Sequence, residues 1–79
     1  MSVAENLDMI SDINIILDNL LVFTKAIMEG APVKMVSSKE SVRWRKLGLL
    51  YYSRSKQRYY TTNYSEGLVR NVLTKKGLI

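Results

Sequence analysis

Eleven of the chain's twelve lysines and arginines lie beyond Pro32, in company with Trp44 and all five tyrosines. Residues 32–79 carry eleven basic and two acidic side chains, net +9, while residues 1–31 carry one basic and five acidic, net −4. Cations interleaved with aromatic rings suit one chemistry: they neutralise phosphates and pack or stack against a nucleic acid. The candidate nucleic-acid-binding residues are Lys39, Arg43, Arg45, Lys46, Arg54, Lys56 and Arg58. Arg43, Arg45, Lys46, Arg54, Lys56 and Arg58 would grip phosphates, with Arg43 or Arg45 available for base edges.

Other chemistries lack their parts. The chain has no histidine and no cysteine, which removes the usual general base, the thiol nucleophile and the commonest zinc ligands. Its carboxylates stand apart, and no glycine-rich phosphate loop occurs; Gly30, Gly48, Gly67 and Gly77 each stand alone where elements are expected to begin or end. Tyr59 and Tyr60 have no catalytic set around them and read as packing residues. An enzyme, a metal site and a cofactor are therefore not expected.

The elements that must hold these cations come next. Seventy-nine residues make a single domain with a thin core, and without disulfides or metal a homo-oligomer is the remaining reinforcement. Ser2 and Glu5 have capping-box spacing, and Gly30 followed by Pro32 is a stop signal, so one acidic, apolar helix is predicted from 3 to 29. Val3, Leu7, Ile10, Asn14, Leu17, Leu21, Thr24 and Met28 alternate spacings of four and three, the seam of a short coiled coil. Further apolar residues cover most of the circumference of its second half, so this helix needs two neighbours. It is either the core helix of a monomer or, in the sharper reading, the element of a homodimer, with Leu17, Leu20, Leu21, Phe23 and Met28 as the candidate interface. The apolar run Ile13 to Val22 is interrupted by Asn14, Asp18 and Asn19, so no membrane span is predicted, and the start has no basic leader pattern. A cytoplasmic protein is expected.

In the basic section, residues 33–79, Ser37 and Glu40 repeat the capping-box spacing and start a short helix near residue 38 that Gly48 ends. Leu-Leu-Tyr-Tyr, a polar tip over residues 53–58 and Tyr-Tyr-Thr-Thr then read as a two-stranded ribbon. With Ser53 opposite Arg58, Tyr52 faces Tyr59 and Tyr51 faces Tyr60, and the tip presents Arg54, Lys56 and Arg58 to solvent. The competing reading is one helix from 38 to 60, which would make the fold all-α. A C-terminal helix is predicted over 66–76 with Ser65 as N-cap, and Leu78 and Ile79 as an apolar tag. The fold class expected is α+β: a long N-terminal helix, a short central helix, a basic β-hairpin and a C-terminal helix.

The run Ser37-Ser38-Lys39-Glu40-Ser41-Val42-Arg43-Trp44-Arg45-Lys46-Leu47-Gly48-Leu49-Leu50, with the ribbon to Thr62, resembles the second half of a winged-helix DNA-binding domain. There a recognition helix ends in a K-x-G-L-type turn and leads into a basic hairpin wing. The resemblance covers residues 37–62 and implies that Lys39, Ser41, Arg43 and Arg45 lie on or beside the groove-facing helix, with Arg54, Lys56 and Arg58 in the wing. That family has a short helix and tight turn before the recognition helix, where this chain has the connection Gly30 to Val36. The function expected is a small dimeric, non-enzymatic nucleic-acid-binding protein, DNA rather than RNA, acting as a transcriptional regulator of phage, plasmid or viral type. The alternative is a protein-interaction module that uses the apolar helix or the basic face.

Overall fold

The computed structural model describes the backbone of residues 3–79 and the side chains of residues 9–79. Its elements are α1 (Val3–Asp18), α2 (Leu20–Met28), β1 (Ala31–Pro32), a 3-10 turn (Val33–Met35), α3 (Ser38–Lys46), β2 (Leu50–Ser53), β3 (Arg58–Thr61) and α4 (Asn63–Lys75). This is the α+β fold, with a three-stranded antiparallel sheet in the order β1-β3-β2. The Ser2–Glu5 capping box and the first seam positions, Val3 and Leu7, lie outside the described side chains.

The N-terminal helix is two helices, not one from 3 to 29. Asn19 leaves helical geometry at φ −129°, ψ 38°, and its Nδ2 donates to the Ile15 carbonyl at 2.9 Å. A short amide side chain competes here with the backbone for the same carbonyl four residues back, a recognised cause of helix bending. Below the bend, Ile16, Phe23 and Ala26 turn inward with almost no exposure. They meet Trp44 of α3, Leu49 and Leu50 at the start of the ribbon, and Val69, Val72 and Leu73 of α4 in one core. Phe23 and Trp44 sit tilted at 5.2 Å between ring centroids.

The ribbon has the expected register, Tyr52 opposite Tyr59, Tyr51 opposite Tyr60 and Ser53 opposite Arg58. Tyr52 and Tyr59 meet edge to face at 5.2 Å; Tyr51 and Tyr60 stack at 5.9 Å. A third strand was not foreseen: Ala31 and Pro32 pair with Tyr59 and Arg58 on the outer edge of β3, a position where proline's missing N–H is tolerated. Gly30 makes that pairing possible. Its φ is +92°, and an added Cβ would lie 2.7 Å from Tyr60 Cζ, so a side chain has neither the conformation nor the space.

Helix α4 starts earlier than predicted. Thr62 is the N-cap and Ser65 the third residue of a reciprocal capping box, while Ser65 Oγ also donates to the Leu49 carbonyl. Gly67 lies inside α4 rather than at an element's edge. No helix among the described residues is long and apolar enough to cross a membrane.

Candidate nucleic-acid interface

Helix α3 is set by its two ends. Ser37 Oγ accepts from the Glu40 N–H at 3.2 Å and donates to the Glu40 carboxylate at 2.9 Å. At the other end Gly48, at φ +74°, closes a Schellman turn in which the Leu49 N–H reaches the Trp44 carbonyl and the Gly48 N–H the Arg45 carbonyl. Between these ends Ser41 and Trp44 are buried and fix which side faces the core. At 3.6 residues per turn, the opposite side carries Lys39, Arg43 and Lys46 as one stripe, all exposed, with Val42 beside it. Arg45 is exposed but off that stripe, and its Nε donates to the Ser41 carbonyl along the helix.

The ribbon tip divides the other three. Arg54 and Lys56 are exposed on the four-residue loop, where Gln57 takes a positive φ and its N–H closes the turn on the Ser53 carbonyl. Lys56 Nζ lies 5.3 Å from the centroid of the Tyr60 ring, within cation–π range. Arg58 corrects the expectation of a free tip cation: it is half-buried, and its Nη1 donates to the Gly30 carbonyl at 3.0 Å. Its job is to hold the ribbon on the end of α2, helped by the Tyr60 hydroxyl on the Glu29 carbonyl.

The stem's carboxylates are engaged elsewhere. Glu29 pairs with Lys25 at 2.5 Å and Glu66 with Arg70 at 3.0 Å, each inside its own helix. Among the described residues, then, Lys39, Arg43, Arg45, Lys46, Arg54 and Lys56 have no carboxylate partner. Asp12 is buried and accepts from the Tyr64 hydroxyl at 2.6 Å. This bond floors a cleft of about 440 Å³ whose rim includes Arg43 and Lys46. The sequence analysis passed over Asp12 and Tyr64 because a contact across 52 residues leaves no local pattern. The signal available was a tyrosine in the first turn of α4, off that helix's apolar stripe.

The predicted dimer residues also separate. Phe23 is wholly inside the chain's own core, because the bend at Asn19 and the ring of Trp44 claim it, and Leu20 packs half-buried against the same cluster. Leu17, Leu21 and Met28 remain exposed. No protein-family model, curated protein or solved structure matches this chain.

Proposed function

We propose that this protein binds nucleic acid without catalysing a reaction, gripping duplex DNA with α3 and the ribbon tip as a transcriptional regulator in the cytoplasm. The observation that carries the reading is the exposed stripe of Lys39, Arg43 and Lys46, free of carboxylate partners among the described residues, with Trp44 anchoring the helix from behind. From Lys39 to Lys46 the stripe runs about 10 Å at 1.5 Å per residue, shorter than the roughly 12 Å width of a DNA major groove. Lys39 and Lys46 take phosphates, and Arg43, central in the stripe, has the fork that a guanine edge accepts. Arg54 and Lys56 reach the flanking backbone from the ribbon. Arg58 positions the ribbon rather than touching the ligand.

Two features support the winged-helix likeness as well. The connection before α3 contains a short helical turn, Val33–Met35, followed by the Ser37 cap, in the place where that family has a short helix and a tight turn. Helix α3 then passes through a glycine turn into a hairpin with a basic tip. The test is fluorescence anisotropy against duplex DNA, single-stranded DNA and duplex RNA over a salt series. Duplex DNA should bind tightest, and log affinity should fall against log salt with a slope of about −0.9 per phosphate neutralised, near −4 for five cations. Replacing Lys39, Arg43 and Lys46 together by alanine should flatten that slope by about 3 with folding intact. Absence of binding to all three ligands at about 50 mM salt overturns the proposal.

A further inference from the structure

The cationic stripe leaves a second surface unexplained. Ile10, Asn14, Leu17, Leu21, Thr24 and Met28 keep the four-three spacing along α1 and α2, and the structure leaves this seam largely uncovered. Ile10 is 54% exposed, Leu17 41%, Leu21 78% and Met28 77%, and Asn14 is exposed between them. The chain's own core takes the other side of the same helices, through Ile16, Phe23 and Ala26. The bend at Asn19 falls between Leu17 and Leu21 and leaves both outside.

We propose that a second copy of this chain docks on the seam, antiparallel, with a two-fold axis at Leu21. Three observations favour that occupant. Residues repeating at alternating spacings of four and three form knobs and holes that match the same surface on a second copy. The four exposed large residues offer roughly 500 Å² of apolar surface, the size at which a patch marks an interaction site and close to the apolar share of a standard interface of about 800 Å² per partner. Charge agrees: a two-fold axis at Leu21 sets Asp18 of one copy beside Lys25 of the other, and Asp18 has no partner among the described residues. The surface extends past Met28, because the Gly77 turn brings Leu78 and Ile79, both well exposed, to the rim of a groove shared with Met28 and Ile27. The stripe on α3 shares no residue with the seam, so the dimer keeps two cationic stripes. The inference stands apart from the nucleic-acid reading and does not need it.

Sedimentation equilibrium on the full chain from about 1 µM to 500 µM tests it, since a dimer's population depends on protomer concentration. The expected mass rises to twice the 9.1 kDa of one chain. Leu21→Glu should weaken association by about 30-fold or more, as for a central interface anchor, with an unchanged far-UV spectrum at low concentration. The chain has no native cysteine, so Leu21→Cys should give a disulfide-linked dimer on oxidation. Asn14→Cys, off the axis of an antiparallel pair, should not. A mass of 9.1 kDa at every concentration, or a Leu21→Glu variant that associates like the parent, overturns the second copy as the occupant. Efficient cross-linking through Asn14→Cys overturns the antiparallel register.

Discussion

Helices α2 and α3 are each nine residues long, and they meet through one ring pair, Phe23 against Trp44. Their inner faces do the same work. Their outer faces differ completely: α2 shows Leu21 and Met28, and α3 shows Lys39, Arg43 and Lys46. Burial alone fixes a helix with two inward residues per two turns, so the outward positions are free to vary, and here they diverge into an apolar seam and a cationic stripe. Holding those two surfaces is a shared core small enough that each buried ring counts.

The strongest test of this comparison cuts the ring pair. A 79-residue domain has roughly 4–12 kcal/mol of stability at 0.05–0.15 kcal/mol per residue, and replacing a buried Phe or Trp by Ala costs about 3–5 kcal/mol. Phe23→Ala or Trp44→Ala should therefore unfold much of the population at 25 °C, seen as lost near-UV signal and an early urea midpoint. Leu21→Ala, on the opposite face of the same helix, should change the intrinsic stability of the single chain by less than about 0.5 kcal/mol. Equal losses at Phe23 and Leu21 would show that α2 is buried on both faces within one chain.

A smaller effect separates the two glycine turns that end these helices. Gly30→Ala forces a side chain into a left-handed conformation and against Tyr60, where the new Cβ would sit 2.7 Å from Cζ, so a cost of about 2–3 kcal/mol is expected. Gly48→Ala meets the same backbone penalty at φ +74° but open space, and should cost about 1 kcal/mol. Denaturation curves of the two variants give the difference, which measures how tightly the ribbon is seated on α2. Below these lies Tyr64→Phe. It removes the hydroxyl that satisfies the buried Asp12 carboxylate, with an expected loss of about 1–2 kcal/mol by urea denaturation.

What the sequence revealed follows the range of each interaction. The ribbon register was legible because Tyr51, Tyr52, Tyr59 and Tyr60 pair across a short loop, and the Ser37 cap because its partner Glu40 is three residues away. The helix boundary at residue 63 was displaced because Thr62 and Ser65 both have capping side chains, and only the pairing of Ser65 with Leu49 decides between them. Strand β1 is two residues long, contains proline and finds its partner 28 residues away, so nothing local announces it. At the candidate site the exposed cations of α3 were legible from composition, but the fate of Arg58 was not. Its alternation with Arg54 and Lys56 is the pattern of a solvated tip, and its binding to the Gly30 carbonyl depends on that missing strand.

The finest test asks whether stem and ribbon feel each other electrostatically. Lys25, hydrogen-bonded to Glu29 and adding its charge, holds that carboxyl below its ordinary value of 4.5, and the Arg58 charge lowers it further by a lesser amount. A carboxyl with a depressed folded value contributes stability above its unfolded value and loses it as the pH falls through the folded one. The contribution therefore belongs to neutral pH and fades below 4.5. Glu29 is fully exposed, so solvent keeps it small. An NMR pH titration in the Leu21→Glu background, which reads the single chain, should show Glu29 titrating low. It should return most of the way to 4.5 in Lys25→Ala, the partner with the larger effect. Arg58→Met should move it up by less. A Glu29 titration that ignores Arg58 would mean the ribbon's one seated arginine does not share the field of the stem, and that the ribbon is held to α2 by the Gly30 carbonyl and Tyr60 alone.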